Sequence, residues 1–436
     1  MLYYNTIIFL NKGIVILDKI QVNLYDLLNC ISNAQGLVSP KLSNHQQRVA
    51  YLAFQLSEHM GLPNEQKKDI FLAALIHDIG ALSNKEMFEL IETEPVNVNS
   101  HAFRGAKLLE GFKPLHNPAK IIKFHHLPWN NGEGSSYKGE DVPLASHIIH
   151  LADRACTLIR SDRNILTQLP DILSAIREQV NTVFQPEIAD AFFTLSPKEY
   201  IWLDLISQFP TKAISNLAII NDLTLEIDDI IDLALVFSRI IDYRSRFTSR
   251  HSAGVAKTAE KLAKLIGFSP YECKMMLIAG YLHDLGKIAI SDGVLEKPAK
   301  LNEEEFNEMH AHTYYTYHLL EPLTQLKTIN TWASFHHEKL NGTGYPFHIT
   351  GDSLSLGSRI MAVADVFTAL TEDRPYRKGM EPAKAEKVLR HMVTNNDLDG
   401  TVVDLLLEKS IISEKPPRLK RLNSIINFCL LIEWRL

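Results

Sequence analysis

The chemistry available to this chain rests on two sets of histidines and aspartates. The first half places His45, His77, Asp78, His101, His125, His126 and Asp153 in order, and the second half repeats the types as His251, His283, Asp284, His312, His336, His337 and Asp365. The leading histidines lie 206 positions apart and the closing aspartates 212, so the whole set drifts by six residues. Imidazole and carboxylate together suit borderline divalent metals such as iron, manganese, zinc, cobalt or nickel. A single histidine beside apolar residues, such as His283 after Gly280-Tyr281-Leu282, is more often a hydrogen-bonded core residue than a ligand. Asp153, Asp284 and Asp365 are harder to explain that way, because an unpaired carboxylate on an apolar helix face is costly to bury. Five histidines and two aspartates exceed one tetrahedral site. Shared between two ions they leave room for a bridging water, which such a pair acidifies for an in-line phosphoryl displacement.

Side chains spaced tens of residues apart reach one point only if several elements converge. Helical periods dominate: Ile227, Ile230, Ile231, Ala234, Leu235, Phe237, Ile240 and Ile241 paint one face of a helix over 225–243. Similar patterns predict helices over 255–266 and 49–60, stopped by Gly267 and Gly61. Loops are predicted at 128–143 and 341–355, and the expected class is all-α. The adjacent His and Asp of IHDIG and LHDLG point about 100° apart on a helix, so each pair joins a centre only if the carboxylate turns inward.

Length and composition bound the remainder. The 436 residues suit more than one domain, and the repeat divides them into two tandem helical domains, 1–215 and 216–436, with the boundary between Phe209-Pro210 and Asp222. A net charge of −6 argues against general affinity for nucleic acid polymers or anionic membranes. Mean hydropathy is −0.06, and no apolar run approaches the roughly 20 residues of a membrane span. Cys30, Cys156, Cys273 and Cys429 are far apart, against a disulfide scaffold or a thiolate zinc site. The apolar start lacks the marks of a secretory signal, so a cytoplasmic protein is expected, with residues 1–17 open between a strand, a helix extension and an upstream translation artefact.

Together these elements resemble the HD superfamily of metal-dependent phosphohydrolases, and the second half resembles its HD-GYP branch. The residues that carry this are RHSAGVA (250–256), HDLGK (283–287), HHEKLNGTGYP (336–346) and ADVFTALTEDRPYR (364–377). The resemblance implies a cyclic-dinucleotide phosphodiesterase, acting on cyclic di-GMP or 3′,3′-cyclic GMP-AMP, the latter for some members with an HD domain followed by an HD-GYP domain. It implies a metal-bridging hydroxide that attacks phosphorus and a linear dinucleotide product. His251, His283, Asp284 and Asp365 would hold one ion, and bridging Asp284 with His312, His336 and His337 the other. Iron is the foremost candidate, with manganese, nickel, cobalt or zinc behind it. Lys287 would position the nucleophile or protonate the leaving 3′-oxygen. Gly344 and Pro346 would shape a lip, Tyr345 would stack on a base or contact phosphate, and Arg374 and Arg377 would grip phosphate. His310 precedes the expected ligand by two residues and reads as an exposed side chain. Three-metal members carry a Glu four residues before the first histidine; Phe247 stands there, so two ions are expected. Thr316, where the family has Gly, is expected to reshape the pocket wall together with Tyr314, Tyr315 and Tyr317 around it.

The first half keeps the seven ligand types and Gly105, but Ala81 replaces the lysine, and no GYP or RPYR follows. It reads as a metal-binding partner of weak activity, as a separate phosphohydrolase, or as an empty site. For the whole chain, an HD nucleotidase acting on mononucleotides and a non-catalytic nucleotide sensor stand beside the phosphodiesterase. A homo-oligomer is compatible with all three.

Overall fold

The computed structural model describes residues 6–10, 13–17, 19–38, 42–92, 99–207, 223–244, 251–373 and 378–408, with side chains outside 6–17 and 91–92. Arg374, Arg377, Phe247, Cys429 and the 215/216 boundary therefore lie outside the described residues. Helices dominate, as the all-α reading expects; the described strands form a hairpin of β1 (Thr6–Leu10) and β2 (Gly13–Leu17) and two short pairs. The hairpin settles the open reading of the N-terminal stretch in favour of a strand.

The chain forms two compact units. The first comprises Met1–Ile240 with Ile288–Leu295 and His318–Lys327, and the second Ile241–Lys287, Glu296–Tyr317 and Thr328–Leu436. Inside the first unit, Asp292 Oδ2 accepts the Asn84 backbone N–H at 2.7 Å, and the Cys30 thiol lies 3.0 Å from the Leu319 carbonyl.

In the first unit α1 (Leu24–Gly36) is followed by α2 (His45–His59) and α3 (Asn64–Leu75), which ends just before His77-Asp78. The helices α4 (Asn84–Glu92), α5 (Asn99–Leu109), α6 (His116–Lys123) and α7 (Leu144–Thr157) follow, with His101 in α5, His125-His126 just after α6 and Asp153 in α7. The α2 helix packs against α3 and α7. Three more helices, α8 (Ile165–Glu178), α9 (Pro186–Leu195) and α10 (Glu199–Ile206), close the unit, and α11 (Ile227–Arg244) leads out of it.

The second unit repeats the plan. Its first helices are α12 (His251–Ile266) and α13 (Pro270–Leu282). Gly267 adopts φ +101°, and the N–H groups of Gly267 and Phe268 both reach the Ala263 carbonyl, which ends α12 cleanly. The next helix starts at once: Ser269 caps it, and Glu272 closes the reciprocal capping box. This tight corner aims α13 so that His283-Asp284 emerge from its end. After the short α14 (Asp292–Leu295), which belongs to the first unit, come α15 (Glu303–Leu320) with His312, α16 (Lys327–Ser334) just before His336-His337, α17 (Leu356–Thr371) with Asp365, and α18 (Pro382–Thr394) and α19 (Gly400–Glu408). The α12 helix packs on α13 and α17, as α2 packs on α3 and α7.

The α2 helix begins four residues before its predicted start, at His45, and the described part of α12 likewise runs back to His251. The apolar period misses this first turn because its residues are polar or small. The predicted loop at 128–143 also differs in detail, holding a 3-10 turn (Asn130–Ser135) and the two-residue strands Ser136–Tyr137 and Glu140–Asp141.

Candidate metal centre

In the second unit all seven expected side chains converge. His251 Nε2 lies 3.0 Å from Asp365 Oδ1, and His283 Nε2 lies 3.2 Å from Asp284 Oδ2. On the other side of Asp284, Oδ1 is 3.5 Å from His312 Nε2, which is itself 3.4 Å from His336 Nε2. His337 Nδ1 is 3.8 Å from Asp365 Oδ2. Potential ligand atoms cluster within 4.8 Å as His251–His283–Asp365, His283–Asp284–His336 and His312–His336–His337.

Backbone geometry sets how the rings face. The Nδ1–H groups of His283, His312 and His336 each donate to a carbonyl three residues earlier: Gly280 at 2.8 Å, Met309 at 2.6 Å and Ala333 at 2.6 Å. Each ring therefore carries its free electron pair on Nε2, directed at the centre. Although 3.2 Å from a carboxylate oxygen, the buried Nε2 of His283 makes no hydrogen bond. Burial pushes His312 down to about 3 and His337 down to about 4, so both are neutral, electron-pair donors at neutral pH. Burial opposes charge on Asp284 and Asp365 too, but the surrounding His283 and Lys287, and His251, hold these carboxyls far below their usual range. Neutral imidazoles and ionised carboxylates packed around an unsatisfied nitrogen are the donor set that a divalent cation fits.

The motif glycines explain the closeness. A Cβ on Gly286 would stand 2.0 Å from the His312 carbonyl oxygen, and one on Gly80 would meet the His101 carbonyl at the same distance. Only glycine lets the turn after His-Asp lie directly on the helix carrying the next ligand. Thr316 itself does not line a pocket wall. It is fully buried, its hydroxyl donating to the His283 carbonyl and accepting from Gly286 N–H, so it ties down the same turn.

Lys287 Nζ sits 2.6 Å from Asp284 Oδ2, facing the centre as its place in the motif implies. Gly344 is buried, and a Cβ there would lie 2.4 Å from Lys339 N. Tyr345 lies 4.9 Å, ring to ring, from His337, and Pro346 follows it through a cis bond. His310 is not a freely exposed side chain: it is half-buried and stacks flat on Tyr345 at 3.7 Å. Two acids escaped the sequence reading. Buried Glu338 accepts the N–H groups of Phe347 and Ile349 at 2.7 and 3.0 Å, pinning the loop behind Tyr345. Glu372 Oε2 lies 3.4 Å from His251 Nδ1.

The first unit assembles its seven residues in the same way. His45 Nε2 is 3.0 Å from Asp153 Oδ1, His77 Nε2 is 3.2 Å from Asp78 Oδ2, and His101 Nε2 is 3.1 Å from Asp78 Oδ1. Asp78, His101, His125 and His126 form one ligand cluster and His45, His77 and Asp78 another. The surroundings differ. Gln46 Nε2 donates to Asp78 Oδ2 at 3.3 Å, the oxygen type Lys287 engages in the second unit. Arg154 takes Asp153 Oδ2 at 2.6 Å. His126 is buried, whereas His337 is half-buried.

Comparison with known proteins agrees with this geometry. The HD domain family matches residues 42–158 and again residues 235–402. A Vibrio cholerae protein named 3′3′-cGAMP-specific phosphodiesterase 1 is 31% identical over 398 residues, covering 89% of this chain and 92% of its own length. The Xanthomonas campestris cyclic di-GMP phosphodiesterase response regulator RpfG is 42% identical over 144 residues, 32% of this chain and 38% of its own. A crystal structure of a cyclic GMP-AMP specific phosphodiesterase of V. cholerae, V-cGAP3, superposes with a TM-score of 0.62 at 24% identity, covering 88% of this chain and 97% of that one, which shows the shared fold. Two HD folds with their His/Asp clusters define an HD-domain protein. More particularly, the chain belongs to the family of tandem HD and HD-GYP cyclic-dinucleotide phosphodiesterases. No helix among the described residues is long and apolar enough to cross a membrane.

Proposed function

We propose that the second unit hydrolyses 3′3′-cGAMP to a linear dinucleotide at a centre of two divalent ions. The observation that carries this is the position of Asp284, whose two oxygens face His283 on one side and His312 on the other. His251, His283, Asp284 and Asp365 hold one ion in this reading, and Asp284, His312, His336 and His337 the other. Iron is the first candidate, with manganese, nickel, cobalt and zinc as alternatives. When bound, the pair supplies an activated water and clamps the oxygens of the scissile phosphodiester. The chain's own residues do the rest. Asp284 holds the Lys287 ammonium in place to deliver a proton to the leaving 3′-oxygen. Tyr345, on the Gly344–Pro346 lip, offers a ring face to a base, and Arg374 and Arg377 grip phosphate. The full-length likeness to the 3′3′-cGAMP-specific enzyme supports this substrate, and the shorter match to RpfG supports cyclic di-GMP as the second.

The first unit, 1–215 in this division of the chain, binds metal at His45, His77, Asp78, His101, His125, His126 and Asp153 without comparable turnover, since Ala81 supplies no ammonium there. Buried free thiols at Cys30, Cys156 and Cys273 fit a cytoplasmic protein. Turnover of 3′3′-cGAMP, cyclic di-GMP and a mononucleotide by protein prepared without oxygen tests the reading. Linear dinucleotide from the cyclic substrates and none from mononucleotide is expected. A preference for mononucleotide, or tight binding without hydrolysis, would overturn it.

A further inference from the structure

Three of the ligand histidines are oriented by their own backbone, but His251 is not. It is the first described residue of α12, and no carbonyl takes its Nδ1–H as one does in the other three. Its Nε2 already faces Asp365 at 3.0 Å. Its Nδ1 is buried without a hydrogen bond, and the atom nearest in function is Glu372 Oε2, 3.4 Å away, likewise buried and without one. Two orphaned polar atoms that face each other at this distance need only a small ring rotation to bond.

We propose that Glu372 is the positioning residue of this centre: it accepts the Nδ1–H of His251, fixes the tautomer, and leaves the Nε2 electron pair directed at the ion. Glu372 begins the segment after α17, seven residues past Asp365, so the helix bringing the carboxylate ligand also brings the acceptor for the opposing imidazole. The other copy of the fold is an internal contrast. There His45 also opens its helix, but the residue seven past Asp153 is Arg160, which is exposed and paired with Asp162. In the first unit the residue at that place therefore offers no carboxylate. Acceptors that orient a ligating histidine typically change metal affinity by about 10–100-fold.

This inference rests on the two-ion reading of the centre, and the test separates the two. The metal-stripped full chain is titrated with Co²⁺, following its visible absorption, for wild type, Asp284→Ala, Glu372→Ala, Glu372→Gln and Arg160→Ala. The difference between wild type and Asp284→Ala isolates binding at the second centre. Within that difference, Glu372→Ala is expected to bind about 10–100-fold more weakly. Glu372→Gln, whose amide oxygen still accepts the Nδ1–H, should recover most of the loss, and Arg160→Ala should match wild type. The metal-free melting temperature should not move in Glu372→Ala, which excludes a merely structural role. Unchanged affinity in Glu372→Ala with a loss in Asp284→Ala would overturn the inference alone. Equal losses in the Gln and Ala variants would overturn it as well. An Asp284→Ala titration identical to wild type would overturn the two-ion reading and this inference together.

Discussion

At the residue scale, His251 and His77, each facing aspartates, differ from the rest of their sets. Burial disfavours charge on His251, but the nearby Asp365 and Glu372 carboxylates outweigh that and lift it to about 10. For His77 burial is likewise outweighed, by Asp78 and Asp153, with the same result of about 10. Both are protonated at neutral pH in the metal-free chain. A cation needs the bare nitrogen, so loading must expel these protons. Apparent metal affinity should therefore rise with pH by about tenfold per unit for each proton expelled, and level off near pH 10. Calorimetric titration in buffers of different ionisation enthalpy checks this by counting the protons released. A pH-independent affinity without proton release would contradict it. That these histidines and aspartates come together was legible in the sequence, because their types recur in order at nearly constant spacing. Glu372 and Glu338 were not, because each acts on an atom brought near only by folding: an imidazole 121 positions earlier in one case and a loop backbone in the other. His310 was misread as exposed for the same reason, its stacking partner Tyr345 lying on a separate loop.

At the scale of the element, each centre depends on how closely a turn can approach a helix. Gly286→Ala places a methyl 2.0 Å from the His312 carbonyl, against backbone that cannot rotate away. Overpacking of this kind costs about 1–3 kcal/mol or more, and a unit of this size loses about 2–4 °C per kcal/mol. The melting temperature should fall by roughly 2–12 °C with metal content falling alongside. Gly293→Ala, whose added Cβ meets nothing within 4 Å, is the control and should melt like the wild type. Equal melting of the two variants would contradict this account of the HD-x-G glycine. Helical periodicity located the interiors of α2, α11 and α12 but not the first turns of α2 and α12. Those turns carry the candidate ligands His45 and His251 and otherwise polar or small residues, so the hydrophobic pattern says nothing about them. Thr316 is the reverse case: a departure from the family pattern that reads as a change in the pocket is, once folded, a buried tie between α15 and the HD turn.

At the scale of the whole molecule, one fold is used twice with one set of ligands and two different surroundings. The second centre has Lys287 on its shared aspartate and a half-buried His337 beneath Tyr345. The first has Gln46 and Arg154 on its aspartates and a buried His126. An amide cannot deliver a proton as an ammonium does, and a carboxylate oxygen held by a guanidinium is less available to a cation. The repeat was plain in the sequence. The difference in surroundings was only half plain, because the loss of the lysine is visible at Ala81 but its replacement by Gln46 comes from another helix. The central proposal is that the second centre performs the reaction and the first does not. Turnover of 3′3′-cGAMP by metal-loaded Asp284→Ala and Asp78→Ala chains, followed as release of linear dinucleotide, tests it most directly. Losing the shared ligand should remove several kcal/mol of charge stabilisation, so Asp284→Ala should lose about 10³-fold or more, with Asp78→Ala within about tenfold of wild type. Activity that survives in Asp284→Ala and vanishes in Asp78→Ala would contradict it.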